Sequence, residues 1–290
     1  MADLGFEPNF FAQAMQSKRS NSIALIVQDL TNPYYPALAR GLQEAMADEN
    51  HVVMLFDARA GKNLTEVFVK EMIQRRVDGV VAAATLTPTE LGRLERADIS
   101  VVAVGSGVNG DEVDWVSADD EAIAEEATTY LHTQGYQRIA IIRGPVDSEP
   151  GGARFRGWTR ALQRAGLEPA PGFVATADWT TKGGSRAAEE MLSAREKPDA
   201  IFCANDQMAI GALNALLARS VRVPQDIAVV GVDDIDAAAL VRPALTTVRV
   251  PAEEIGRAAG DLLIHRITNG TATAHRHILV QHSLIPRDSA

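Results

Sequence analysis

From residue 22 onward, short apolar runs alternate with longer segments in which apolar positions recur every three or four residues. Ser22–Val27, His51–Phe56, Gly79–Ala83, Val101–Val104 and Val113–Ser117 have the length and composition of buried strands. Between them, Tyr35–Ala47, Leu64–Arg75 and Pro88–Arg96 carry a helical period, with a turn at Gln28–Pro33 joining the first strand to the first helix. The second half repeats the scheme. Helix Glu121–Gln134 leads to strand Arg138–Ile142, helix Ala153–Ala165, strand Phe173–Thr176 and helix Thr181–Ala194. Strand Ala200–Cys203, helix Gln207–Ala218 and strand Ile227–Val230 come next. Helix Ala252–Thr268 and strands near Arg276–Leu284 close the chain. This alternation predicts an α/β fold of two lobes, each a parallel sheet flanked by helices. The expected lobes are about 22–120 plus 250–275, and about 121–249 plus 276–290, with 1–21 as a separate leading junction.

The unit around Ala200–Val230 carries most of the functional information. Its two strands end in small polar clusters, Ala204-Asn205-Asp206 and Gly231-Val232-Asp233-Asp234. A parallel β-α-β unit brings the carboxyl ends of both strands to one sheet edge, where open α/β folds bind ligands. Asn205 and Asp233 are therefore expected to face one cleft. An amide and a carboxylate side by side supply donors and acceptors suited to a polyhydroxylated small molecule. Asp206 and Asp234 read as caps or braces, and Asp119-Asp120, near the cleft by topology, as a helix cap.

Composition narrows the classes of function. The chain has 290 residues and a formal charge of −10, so no global basic field invites nucleic acid. The single Cys203 excludes an internal disulfide framework and suits a reducing compartment. No apolar run reaches membrane-spanning length, and the opening MADLGFEPNFFAQAMQSKRS lacks the order of a signal peptide, so a cytoplasmic protein is expected. Dinucleotide, P-loop, nucleophile-elbow and zincin motifs are missing from the sequence. The six histidines are scattered; His275, His277 and His282 cluster late in the chain but make a weak metal set. No cofactor, metal or catalytic residue is expected.

Five ordered segments then point to a family. DLTNPYYPALARGLQEA (Asp29–Ala45), ARFRGWTRAL (Ala153–Leu162), FCANDQMAIGAL (Phe202–Leu213), VPQDIAVVGVDDI (Val223–Ile235) and PALTTVRVP (Pro243–Pro251) resemble the effector-binding core of LacI/GalR-type transcriptional regulators. The resemblance spans about Pro8 to Asp288. It implies a periplasmic-binding-protein-like fold, a homodimer, and a small-molecule effector, a saccharide, in the interlobe cleft. It further implies that Arg154, Trp179 and Tyr34 join Asn205 and Asp233 as effector contacts. A guanidinium offers a fork of donors, and indole and phenol faces pack against the C–H faces of sugar rings. Trp115 and Trp158 read as structural. One departure is Gly105-Ser106-Gly107, where many members carry an acid–base pair.

Met1–Ser20 resembles the junction between the family's DNA-binding headpiece and its hinge helix, with NFFAQAMQS as the hinge. Asn9 is a plausible cap, Ala12 and Met15 fall at helical spacing, and Met15 matches the side chain that wedges into the minor groove. The family's helix-turn-helix headpiece is absent from this sequence, either encoded upstream of it or lost in this member. Operator DNA would be read only through that headpiece, and the chain as given is expected to show no sequence-specific DNA affinity. Two rival readings share the fold class. A solute-binding protein of a sugar transport system would be monomeric and carry an export leader. An enzyme on a doubly wound sheet would need a cofactor fingerprint.

Overall fold

The computed structural model describes residues 19–58, 64–105, 113–270 and 274–290. The hinge candidates Asn9, Ala12 and Met15 lie outside these, as do Ser106 and Gly107. The chain divides into two compact units, Met1–Ser117 with Ala252–Ile278, and Ala118–Pro251 with Leu279–Ala290.

Unit 1 is a six-stranded sheet in the order β11-β5-β4-β3-β1-β2. Its strands are β1 (Ser22–Val27), β2 (Val52–Asp57), β3 (Gly79–Ala83), β4 (Ser100–Val104), β5 (Asp114–Ser117) and β11 (His277–Leu279). Helices α1 (Tyr34–Asp48), α2 (Leu64–Arg75), α3 (Pro88–Arg96) and α9 (Ala252–Asn269) belong to the same unit. β1 and β3 are buried along almost their whole length, as expected for central strands covered on both faces. One face is closed by Val69 and Met72 of α2 and Leu94 of α3, packed on Ala24, Ile26, Val80 and Ala82. A buried ion pair, Arg266 with Asp114, fastens α9 to β5.

Unit 2 repeats the plan in the order β12-β10-β9-β8-β6-β7. Its strands are β6 (Ile139–Arg143), β7 (Val174–Thr176), β8 (Ala200–Cys203), β9 (Ala228–Asp233), β10 (Thr246–Arg249) and β12 (Ser283–Ile285). Its helices are α4 (Asp120–Thr133), α5 (Glu149–Ala165), α6 (Thr181–Ser193), α7 (Asp206–Ala218) and the short α8 (Asp236–Leu240). β6, β7, β8, β9 and β10 are joined in parallel, and β12 pairs antiparallel with β10. Ala140, Ile142, Ile201 and Cys203 turn toward α6 and α7 and form the apolar core there. Beyond the short α8, two further features escape periodicity. Thr246–Arg249 is a strand despite its polar content, because Thr246 and Thr247 are fully buried and hydrogen-bonded. α5 begins four residues before the expected Ala153, because Ser148 caps it and Pro150 fits its first turn.

Strand order fixes where a ligand site can form. In unit 2, β6 is followed by β7 on one side and flanked by β8 on the other; in unit 1, β1 stands likewise between β2 and β3. At such a switch point the loops leaving neighbouring strands diverge, and a crevice opens outside the carboxyl ends.

Candidate functional site

At the carboxyl edge of the unit 2 sheet the central group is Arg154. It is carried by α5, whose Gly157 lies one turn from Arg154, where any Cβ would run into the Glu121 carbonyl of α4. The two helices therefore pack backbone to backbone, and Asp120 at the start of α4 meets the guanidinium. Arg154 Nε and Nη2 both lie 2.7 Å from Asp120 Oδ1. Nη1 donates to the Ala204 carbonyl at the end of β8 and stands 4.0 Å from Asp233 Oδ1. Arg154 is only 8% exposed. A buried guanidinium is tolerable when acids and carbonyls share its donors, and this one has both.

Asp233 is the last residue of β9, with its side chain 7% exposed. Burial pushes its carboxyl up to about 7, against the lowering pull of Arg154, with Asp120 adding to the rise. Its backbone is unusual: φ is +115° at Asp233 and +59° at Asp234. Trp179 is also left-handed, with φ +69°. Side-chain-bearing residues adopt such angles at a cost, and they persist where surrounding contacts impose them.

The other acids at this edge brace it. Asp206 is fully buried; its Oδ2 accepts from Ile235 N at 2.9 Å and its Oδ1 from Thr247 Oγ1 at 2.6 Å. Burial raises its carboxyl well above the ordinary range, and Asp233 adds to the rise. Asp234 is held by Arg249 at 2.7 Å and Arg287 at 2.5 Å. The helix cap is Asn205 rather than Asp206. Its Oδ1 accepts from Met208 N at 2.9 Å, and its Nδ2 donates to the Trp179 carbonyl at 3.0 Å. One N–H and one carbonyl lone pair of the amide remain.

Trp179 is half-buried, with its ring lying over Gly144, the residue after β6, where a Cβ would overlap the indole. The Arg154 guanidinium sits 6.0 Å from the ring centroid, at the outer limit for a cation–π contact. Arg154, Trp179, Asn205 and Asp233 are thus gathered at one edge. Tyr34 opens α1 at the corresponding edge of unit 1. Its N donates to Asn32 Oδ1, and its ring meets Tyr35 edge-on at 5.3 Å.

Two residues at the unit 2 edge, Arg143 and Glu149, escaped the sequence reading, and a third, Asp120, was placed near the cleft but read as a cap. Asp119 is the expected cap of α4, accepting from Ala122 N at 3.0 Å, but Asp120 is the principal partner of Arg154. Arg143 ends β6 with its guanidinium 4.4 Å over the Phe155 ring and its Nε buried without a partner. Glu149 opens α5 with Oε2 buried and unpartnered. The strand-end position of Arg143 was the available signal for it. Glu149 gave none, because acids in a first helical turn are ordinary, and for the same reason Asp120, though expected near the cleft, read as a cap.

The edge therefore offers a paired guanidinium, carboxylates with free lone pairs, an amide and an aromatic face. Such a set binds hydroxyl groups directionally. Among the described residues no group of three or more acid, histidine or cysteine side chains could hold a metal ion, and no helix is long and apolar enough to cross a membrane.

Comparison with known proteins agrees with this architecture. Residues 128–290 match the model of the periplasmic binding protein-like domain. The ribose operon repressor of Escherichia coli K12 is 33% identical over 283 residues, covering 94% of this chain and 84% of its own. The HTH-type transcriptional repressor CytR of the same organism is 29% identical over 266 residues, 91% of this chain and 78% of its own. Among solved structures, a complex of the transcriptional regulator CelR with cellobiose superposes with a TM-score of 0.87 at 31% identity, covering 100% of this chain and 88% of that one.

Proposed function

The chain belongs to the LacI family of transcriptional regulators, and from that membership we propose that it is the sensing core of a regulator that binds a sugar effector through Arg154, Trp179, Asn205 and Asp233. The observation that carries this reading is the buried Arg154, shared between Asp120 and Asp233 beside the indole of Trp179 at a strand-order switch point. Vicinal hydroxyls donate to the carboxylate and accept from the guanidinium, while the ring covers the sugar's C–H face. The repressor named for ribose and the regulator solved with cellobiose favour a saccharide over other hydroxyl-rich molecules. Tyr34 is the proposed contact from unit 1. Effector binding acts by favouring one arrangement of a homodimer over another, and so changes operator binding.

Isothermal titration with a sugar panel including D-ribose and cellobiose tests the site. The bound sugar should lose at least about 30-fold in affinity in Asp233→Ala, the loss of a charged hydrogen-bond acceptor. Unchanged affinity in that variant would sink the assignment. Sizing chromatography separates this reading from a transport solute-binding protein, which would elute as a monomer at micromolar concentration.

A further inference from the structure

The next inference rests on the sugar reading above and concerns the charge of the effector. Glu149 sits at the start of α5, five residues before Arg154. Its Oε2 is buried without a hydrogen-bond partner although the side chain as a whole is 30% exposed, and Arg156 Nη2 stands 3.7 Å from Oε1. The charges that reach it are those of Asp120, Arg156 and Arg154, and Arg156 is 58% exposed and shared with Glu121. Burial raises the Glu149 carboxyl, and Asp120 raises it further. Asp120 and Asp233 thus divide one buried guanidinium between them, and Glu149, on the same helix as Arg154, is a third carboxyl within reach of its charge.

We propose that Glu149 is a further specificity-determining contact, which accepts from an effector hydroxyl and makes the site select uncharged sugars over their phosphorylated or carboxylated derivatives. A hydroxyl donor satisfies the open oxygen. A phosphate or carboxylate placed there would meet like charge, with Arg154 already shared between Asp120 and Asp233 and the exposed Arg156 shared with Glu121, and like-charge juxtaposition discriminates against it. Arg143, with its partnerless Nε, is a group at this edge that favours an anion. It is stacked on Phe155 and is not among the groups acting on the Glu149 or Asp233 carboxyls.

Calorimetric titration of the full chain with matched pairs tests this: D-ribose and D-ribose 5-phosphate, D-glucose and D-glucose 6-phosphate, cellobiose and cellobionate. In any pair that binds, the neutral member should be tighter by at least about tenfold, and Glu149→Gln should narrow that ratio to about threefold or less. An anionic member binding as tightly as its parent overturns the inference and points to Arg143. A ratio untouched by Glu149→Gln overturns the role of Glu149. Silence from every pair sinks the sugar reading itself, and this inference with it. A ligand-free measurement separates the two. Ionised Glu149 is costlier in the folded than in the unfolded chain, so Glu149→Gln should raise Tm at pH 8 by about 2 °C. A fall in Tm would identify Glu149 as a structural brace, leaving the sugar reading intact.

Discussion

At the scale of single residues, the candidate site is a problem in burying charge. Arg154 and Asp233 are both nearly closed to solvent, yet 4.0 Å apart they compensate one another only partly. Asp120 takes the closer contact, and Asp233 is left with a carboxyl whose proton affinity is raised chiefly by burial. The sign of the linkage follows. Asp233 titrates near its ordinary 3.8 in the unfolded chain and at about 7 when folded, so between those values the folded state holds more protons. Stability from this group is full below about pH 4 and is lost as pH rises toward 7. Asp233→Asn should therefore flatten the fall of Tm between pH 4 and pH 7. An equally steep fall in the variant would show that Asp233 does not carry it. Asp226 has the opposite sign: its contacts with Arg222 lower it to about 2, so its contribution disappears only in stronger acid.

The same scale shows why some site residues could be read from the sequence and others could not. Asp233 and Asn205 were legible because they end apolar runs, and topology alone brings strand ends to one edge. That Asn205 would spend amide atoms on Met208 and Trp179 was not legible, since capping and ligand binding call for the same residue type. The role of Asp120, expected near the cleft as a cap, was hidden for a similar reason. Its pairing with Arg154 depends on the close approach of α4 and α5 at Gly157, a tertiary fact separated by 34 residues of sequence.

At the scale of elements, the alternating pattern located most strands and helices of both sheets because central parallel strands are apolar on both faces and stand out from their surroundings. It failed at β10, where buried threonines replace aliphatic side chains. Those threonines are explained by Asp206, which reaches from the start of α7 to Thr247 on β10 and to Ile235 N at the approach to α8. One carboxylate thus ties three elements behind the site, and Gly231 leaves the room it occupies. Asp206→Ala would strand a buried N–H and a buried hydroxyl. The expected cost is about 2–4 kcal/mol in urea unfolding, larger than that of Asp206→Asn, which keeps an acceptor. A cost below about 0.5 kcal/mol would mean that water or rearrangement satisfies both groups, and that Asp206 is no brace.

At the scale of the whole molecule, the two units repeat one solution. Each is a sheet of six strands with a switch point, and each presents an aromatic side chain where a helix begins or a turn closes beside it: Tyr34 after β1, Trp179 before α6. A protein that sensed its effector through unit 2 alone would have no binding use for Tyr34, whose ring is half-buried against Tyr35 and whose backbone is set by the Asn32 turn. A regulator that converts occupancy into a change of arrangement needs differential contacts with its effector, and the proposed Tyr34 contact is one candidate for them. Tyr34→Ala should therefore weaken the bound sugar by about tenfold, the worth of one aromatic face, while ligand-free Tm changes little because the side chain is not a core residue. Loss of stability with unchanged affinity would make Tyr34 a packing residue. Loss of affinity without loss of stability would establish that unit 1 takes part in sensing, which is what coupling to operator binding requires.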